Sequence, residues 1–243
     1  MISLNTDFPD LSTDEIEAQA HSLLECYFGR KLVSDDVPIP VEKIAEQFLD
    51  YEIEIIEDGP YFKADILGGI VFDDRVIQVS AAVSDHDGRY NFTIAHEIGH
   101  HVLHRDIYLA KVKAEEDLAM CRELTKKPKA EMQADVFAAA LLMPSEILEH
   151  AVNRCLLNKK LKEVNSLYAA RSLVNQVKES GRFLNVSNTA ILNRLIQLNF
   201  IKHIPYQGST EKPNFTRRNL RIGYASTLIK KAIARIAMAI REK

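Results

Sequence analysis

The chain has 243 residues, of which 47% are hydrophobic and 27% charged, values that exclude a disordered or collagen-like protein and favour a soluble globular one. This length predicts one or two domains. The net charge of −3 is unevenly spread, because residues 201–243 hold ten Lys and Arg against two Glu, a net of +8, which leaves −11 for the remainder. Such a tail suits either an anionic partner or packing on an acidic body.

Targeting and redox features are sparse. The first residues, MISLNTDFPDLSTDEIE, lack the basic and apolar regions of a secretory signal, and no apolar run is long enough to span a membrane. Cys26, Cys121 and Cys155 are odd in number and far apart, which favours free thiols over a disulfide framework or a zinc ribbon. We therefore expect a cytoplasmic protein without a membrane segment.

The N-terminal third changes from helical to extended patterning. Ser12 and Glu15 have capping-box spacing before an apolar stripe, which predicts a helix over residues 12–29. A proline-started helix is predicted near 40–50. Residues 51–80 contain short β-branched runs separated by Gly and Asp turns, which predicts a small, mostly antiparallel sheet.

From residue 87 onward the pattern is helical. Helices are predicted near 88–105, 128–142, 145–157, 163–180, 187–199 and 224–241. Residues 203–219 are interpreted as a linker to the basic terminal helix, whose isoleucines recur at 4-3-4 spacing. Such an amphipathic face most often packs on the core or on a second copy of the chain, so a homodimer through this helix is one expectation and membrane binding is disfavoured.

The segment HEIGHHVLH, residues 96–104, holds four of the eight histidines. Residues four apart lie on one face of a helix, so His96 and His100 can offer two imidazoles to one metal ion. Glu97 lies at the edge of this pair, where its carboxylate can take a proton from a metal-activated water. The HExxH spacing therefore predicts a zinc site with a general base, and the alternative is a polar helix of partly exposed histidines.

A catalytic zinc site usually has three protein ligands and one open position. Asp106 stands six residues after His100, where HExxHxxGxxH sites have their third histidine, so the third ligand should come from another element. Glu131 and Asp135 lie four apart in the otherwise apolar run PKAEMQADVFAAALLMP, and buried acids are costly unless paired or metal-bound. We predict Glu131 as third ligand and Asp135 as the acceptor that orients one ligand histidine. The alternative is a pair of helix N-terminal acids at a solvent edge.

Other polar residues near the motif have less definite roles. His104 follows His100 by four and is interpreted as a satisfied or exposed histidine, with a supporting role beside the metal as the alternative. His101 points elsewhere and is not expected to take part in catalysis. Tyr90, Tyr108 and the remaining histidines are all candidates for stabilising the oxyanion, and the sequence does not choose among them.

Two rival functions rest on other observations. The segment NVSNTAILNRLIQLNFI predicts a helix from Ser187 with Ile191 and Leu195 on one face and Arg194 turned outward, as in a recognition helix that binds DNA. Its single Arg and lack of Lys disfavour direct DNA binding. A third hypothesis is a metal-sensing regulator that acts by contact without cleavage.

Four segments together resemble the ImmA/IrrE family of metallo-endopeptidases. In chain order they are IPVEKIAEQF, GGIVFDDRVIQVS, RYNFTIAHEIGHHVLH and EMQADVFAAALLMP, and the resemblance continues weakly into FLNVSNTAILNRLIQLNFI. It spans residues 38–200. Two positions depart from the family: Asn91 replaces a residue that is more often basic, and Asp135 replaces a commoner asparagine, which can equally accept a hydrogen bond from an imidazole N–H.

The resemblance implies a fold, a cofactor and an activity. His96, Glu97, His100 and Glu131 match the family's metal and catalytic positions. An α+β architecture is implied, with a zincin-like metallopeptidase domain followed by a helical, helix-turn-helix-like region. The implied activity is that of a zinc endopeptidase, with one Zn²⁺ per chain, which cuts a helix-turn-helix transcriptional repressor and so controls stress responses or mobile elements.

The predicted division of the chain follows from the elements and the resemblance together. The boundaries are 1–144 for the peptidase domain, 145–202 for the helical region and 203–243 for the linker and basic helix.

Overall fold

A computed structural model of the chain describes residues 8–57, 67–113, 129–158 and 167–201. Within these residues the protein is a small three-stranded sheet packed against helices, which confirms the predicted α+β class. The helices are α1 (Thr13–Phe28), α2 (Val41–Lys43), α3 (Ala81–Ser84), α4 (Asp87–Lys113), α5 (Lys129–Leu142), α6 (Ser145–Asn158), α7 (Leu167–Ser180) and α8 (Asn188–Gln197). The strands are β1 (Glu52–Ile56), β2 (Gly68–Val71) and β3 (Val76–Ser80).

Helix α1 begins and ends where the sequence predicted. The Ser12 hydroxyl accepts a hydrogen bond from the backbone N–H of Glu15 over 3.3 Å, and the Glu15 carboxylate accepts one from the Ser12 N–H over 2.9 Å. This capping box satisfies donors that the first turn leaves without helical partners. At the other end Gly29 adopts φ +66°, a left-handed conformation that glycine enters without steric cost. The buried face of α1 packs on α5.

The second predicted helix is short and irregular. Helix α2 covers three residues and continues directly as a wider π-helical turn over Ile44–Phe48. Val41, Ile44 and Ala45 are buried, so this segment contributes apolar side chains to the core although it is not a regular helix over 40–50.

The sheet has the order β1–β3–β2, and it is mixed rather than mostly antiparallel. Strand β3 pairs antiparallel with β2 and parallel with β1. The prediction was wrong for the β1–β3 pair, because short β-branched runs separated by turns do not determine which strands become neighbours. β1 instead pairs with β3, and these two strands run in the same direction. Residues 58–66 of the predicted sheet region lie outside the described residues.

Helices α4 and α5 lie side by side in the centre of the fold. Gly99 permits the close approach, because a Cβ at this position would stand 3.2 Å from both the Cα and the carbonyl oxygen of Ala134. Phe137 and Ile98 are fully buried beside this contact. The two helices that carry the predicted ligands are therefore held backbone to backbone.

Helix α8 begins as predicted, with Ser187 as its N-cap and Ile191 and Leu195 fully buried. Arg194 was predicted to face outward, and this prediction is wrong, because the residue is only 1% exposed. It lies three residues after Ile191 and next to Leu195, so helical geometry places it within the apolar stripe. Its guanidinium pairs with Glu17 of α1 over 2.9 Å and donates through Nε to the Met143 carbonyl over 3.3 Å.

Replacing Arg194 by Met is expected to lower the free energy of unfolding by about 3 kcal/mol, because it leaves Glu17 and a buried carbonyl without their cationic donor. Urea denaturation at neutral pH measures this difference. The matched control is Arg182→Met, since the Arg182–Asp35 ion pair is 56% and 88% exposed and should contribute less than about 1 kcal/mol. Equal losses in the two variants would contradict a structural role for the buried pair.

Other predictions fall on particular parts of the chain. Cys26 and Cys155 are free thiols, as predicted, and Cys121 lies outside the described residues. No described helix is long and apolar enough to cross a membrane. The predicted linker, the terminal helix at 224–241 and the dimer contact assigned to it also lie outside the described residues, and the domain boundaries at 144 and 202 stay predictions.

Candidate metal centre

Helix α4 carries two histidines that face an acid from α5. The Nε2 atoms of His96 and His100 are 3.0 Å apart, as expected for residues one helical turn apart on one face. Glu131 Oε2 lies 3.2 Å from His96 Nε2, and Glu131 Oε1 lies 3.2 Å from His100 Nε2. These three residues are the metal ligands that the sequence predicts, and their ligand atoms lie within 4.8 Å of one another.

This donor set fits a divalent transition metal. Two imidazole nitrogens and one carboxylate form a typical catalytic zinc site, with ligand distances of about 2.0–2.2 Å. Ligand atoms at such distances and tetrahedral angles stand about 3.3–3.5 Å apart, so the observed separations need to widen by only a few tenths of an ångström. The His100 side chain is 6% exposed and that of His96 12%, while Glu131 at 31% leaves one side of the cluster open. A fourth ligand such as water has access from that side.

Charges within the cluster compensate one another. Burial lowers the pKa of His96, but the hydrogen bonds that its ring nitrogens donate to Asp135 and Glu131 outweigh this effect and raise that pKa to about 10. Burial raises the pKa of Glu131, but contacts with His100 and His96 outweigh it and hold that pKa well below its usual range. The cluster thus stabilises a positive charge between the imidazoles and the carboxylate, and a divalent cation can take the place of that proton.

Glu97 is buried next to the ligand pair, with 5% of its surface exposed. Burial raises its pKa above the usual carboxyl range, and the positive charges of His96 and His100 oppose that shift. A carboxylate with a raised pKa is a stronger proton acceptor at neutral pH than an ordinary one. The position and environment of Glu97 suit the general base that the sequence predicted.

Asp135 lies one turn after Glu131 on α5 and contacts the outer side of His96. Its Oδ1 is 3.0 Å from His96 Nδ1, so it can accept a hydrogen bond from that nitrogen while Nε2 faces His100 and Glu131. A carboxylate in this position sets the orientation and tautomer of a ligand histidine. This is the geometry that the sequence predicted for Asp135.

The remaining histidines of the motif both have partners. His104 is fully buried, its Nδ1 is 3.1 Å from His100 Nδ1, and its Nε2 is 2.9 Å from Gln133 Oε1. Burial lowers the pKa of His104 to about 4. His101 lies on another face, where its Nδ1 is 2.8 Å from the Tyr51 hydroxyl. Gln133 was not predicted as part of the site, because a neutral amide in an apolar helix has no charge that would indicate such a role.

The two tyrosines named as oxyanion candidates lie in different surroundings. Tyr108 is on α4, with its ring centroid 6.4 Å from that of His100, and burial raises its pKa to about 12, so it stays a hydroxyl donor at neutral pH. Burial and a hydrogen bond to Glu42 raise the pKa of Tyr90 as well. Of the two, Tyr108 is the one whose ring contacts a predicted metal ligand.

Strand β2 passes close to Glu97 at Gly68, which has no side chain to obstruct the contact. A Cβ at Gly68 would stand 2.4 Å from Thr93 Cγ2 and 3.1 Å from Glu97 Oε1, whereas a Cβ at Gly69 would meet nothing within 4 Å. Gly68→Ala is therefore expected to lower the free energy of unfolding by about 1–3 kcal/mol, because the β-branched Thr93 cannot move aside easily. Gly69→Ala is the control, and chemical denaturation of both variants measures the difference. A Gly68→Ala protein as stable as Gly69→Ala would contradict the close packing.

Comparison with known proteins finds one matching family model and one solved structure of low similarity. Residues 56–170 match the IrrE N-terminal-like domain of the M78 peptidases. The curated proteins give no match. Among solved structures, a Mycobacterium tuberculosis transcriptional regulator is 15% identical, with 76% of this chain and 52% of the regulator covered and a TM-score of 0.41. This chain thus spans about half the length of that regulator.

Proposed function

We propose that the protein is a zinc-dependent endopeptidase, because residues 56–170 match the IrrE N-terminal-like domain of the M78 peptidases and the sequence resembles the ImmA/IrrE family. The observation that carries the proposal is the cluster of His96, His100 and Glu131 with buried Glu97 beside it. Two imidazoles, one carboxylate and an adjacent general base are the components of metal-assisted peptide hydrolysis.

In the proposed site, His96 Nε2, His100 Nε2 and a Glu131 carboxylate oxygen hold one zinc ion per chain. When bound, the ion polarises the scissile carbonyl and lowers the pKa of the attacking water. Asp135 accepts a hydrogen bond from Nδ1–H of His96 and so keeps the Nε2 lone pair available for the ion. The mixed nitrogen and oxygen donor set supports zinc over the oxygen-bound Mg²⁺ and Ca²⁺.

Glu97 performs the proton transfers of the proposed reaction. It accepts a proton from the attacking water as the water oxygen bonds to the carbonyl carbon, and it then gives that proton to the amide nitrogen as the C–N bond breaks. The products are a carboxyl terminus and an amino terminus, and Glu97 returns to its starting state.

Tyr108 is the proposed donor to the oxyanion that forms when the scissile carbonyl is attacked. Its ring lies beside that of His100, and its raised pKa keeps the proton on the hydroxyl at neutral pH. A donor held in a partly buried site stabilises developing negative charge more than one in bulk water does.

The proposed substrate is a helix-turn-helix transcriptional repressor, cut within the cytoplasm as a regulatory step. The resemblance to ImmA/IrrE supports this choice of substrate class. Helix α8 counts against the rival DNA-binding role, because its one arginine, Arg194, is buried against Glu17 and is not available to phosphates or bases.

The test is a cleavage assay with the repressor encoded nearest to the gene of this protein. Zinc-loaded protein is incubated with the purified repressor, and the products are weighed by intact-mass spectrometry. Two fragments whose masses sum to the repressor plus one water support the proposal. An intact repressor, together with no cleavage of a mixed peptide library by zinc-loaded protein, would overturn it.

A further inference from the structure

A row of four hydrogen-bonded polar groups begins at His100 Nδ1. Glu131 lies against the other ring nitrogen of His100, Nε2. His100 Nδ1 contacts His104 Nδ1 over 3.1 Å, His104 Nε2 contacts Gln133 Oε1 over 2.9 Å, and Gln133 Nε2 donates to the backbone carbonyl of Pro9 over 2.8 Å. His100, His104 and Gln133 are each at most 5% exposed. Buried polar groups of this kind are costly unless each has a partner, and the row supplies one at every step.

The direction of the hydrogen bonds follows from the end of the row at Pro9. A backbone carbonyl can only accept, so the amide NH₂ of Gln133 faces Pro9 and its oxygen faces His104. That oxygen can only accept as well, so His104 Nε2 carries a proton and donates it. A neutral imidazole has a single N–H, which leaves His104 Nδ1 as an acceptor. His100 Nδ1 must then be the donor, and in neutral His100 the lone pair available for a metal ion is therefore on Nε2.

The surroundings of His104 support its neutral form. The ring is fully buried, and its two nitrogens contact the His100 imidazole and a neutral amide. Phe8 packs edge-on against the ring with the centroids 5.2 Å apart, which adds an apolar wall. Neither hydrogen-bond partner of His104 carries the negative charge that a buried imidazolium would need.

We propose that His104 and Gln133 are positioning residues that hold His100 in the one tautomer able to bind the metal through Nε2. The inference rests on the proposed function, since it assigns an orienting role toward the same metal ion. The two ligand histidines are then oriented by different means: His96 by the carboxylate of Asp135, and His100 by a neutral relay that ends at a backbone carbonyl.

The N-terminal segment holds the far end of this relay in place. Asp10 pairs with Lys129 at the start of α5 over 3.1 Å, and Phe8 contacts the ring of Tyr108 as well as that of His104. The Pro9 carbonyl between them is thereby kept against Gln133. Residues far from the metal motif in sequence thus determine which nitrogen of His100 carries the proton.

The first measurement is the tautomer of His104 in wild-type protein, by long-range ¹H–¹⁵N NMR with and without zinc. The relay requires a neutral ring protonated at Nε2 in both states. A ring protonated at Nδ1, or at both nitrogens, near neutral pH would overturn the inference. This readout does not depend on zinc binding, so it separates failure of the relay from failure of the proposed function.

The second measurement is zinc affinity, by competition with a chromogenic chelator. His104→Phe and Gln133→Leu are each expected to weaken zinc binding about 10–100-fold, the usual cost of removing a group that orients a ligand. His104→Asn should lose less than His104→Phe, because the asparagine carbonyl can still accept from His100 Nδ1. Gln176→Leu is the matched control, because the Gln176 amide bonds only to Ser172 of its own helix α7 among the contacts of the structure, and this variant should bind zinc as wild type does.

Structural damage is separated from loss of orientation by measuring the unfolding free energy of each zinc-free variant. If His104→Phe does not fold, Gln133→Leu and the NMR measurement decide. Folded His104→Phe and Gln133→Leu proteins that bind zinc within about threefold of wild type would overturn the inference, since an orienting group costs at least about tenfold. Wild-type protein that binds no zinc would overturn the proposed metal site, and the orienting role with it.

Discussion

Replacing Glu97 by Gln is expected to reduce peptide cleavage by a factor of about 10²–10⁴ while zinc binding stays near the wild-type level. The amide has almost the same shape as the carboxylate but cannot accept the proton of the attacking water, and general base catalysis contributes on that scale. Initial rates of repressor or peptide cleavage, measured beside the zinc content of the same samples, give both quantities.

The matched control is Glu146→Gln, which makes the same change at an exposed position of α6. It should cleave at the wild-type rate. The experiment also separates an enzyme from a metal-sensing regulator that works by contact. If Glu97→Gln protein still relieves repression in cells while cutting nothing, cleavage is not how the protein acts.

Replacing Glu131 by Ala is expected to weaken zinc binding by more than the 10–100-fold that follows loss of an orienting group, because it removes a direct ligand. Native mass spectrometry should show one zinc per wild-type chain and little or none in the variant at equal free zinc. Cleavage activity should fall in proportion to the zinc lost.

The control for the Glu131 variant is Glu146→Ala, which removes an exposed carboxylate from the neighbouring helix. Its zinc content should equal that of wild type. A Glu131→Ala protein that keeps a full zinc ion at the same affinity would show that a different residue completes the ligand set.

Much of the metal centre was predictable because helical spacing is local. The 4-residue spacing of His96 and His100, and of Glu131 and Asp135, follows from the sequence once each segment is assigned to a helix. The cost of burying two acids in an apolar helix then suggested that they face the histidines, although the side chains of Glu131 and Asp135 are 31% and 37% exposed in the structure. The structure brings these four side chains together, with Asp135 on the outer nitrogen of His96.

What escaped prediction depends on contacts between distant parts of the chain. The neighbour of β1 is a matter of topology, which alternation of residues along a strand does not encode. Arg194 was assigned to the surface by its charge, although its helical position and the presence of Glu17 determine its burial. Gln133 was overlooked because only the approach of Pro9, 124 positions away in sequence, gives its amide a direction.

The buried pair of Arg194 and Glu17 joins the first described helix to the last one. A single apolar core runs from Ile16 through α4 and α5 to Ile201, so both ends of the described chain share it. Among the described residues, the helices after residue 144 therefore share their apolar core with the helices that carry His96 and Glu131. A unit with one shared core unfolds cooperatively, and damage in α8 should reach the metal site as a loss of stability. The same pairing limits recombination between related proteins. A protein that received a foreign α8 would also need a matching α1.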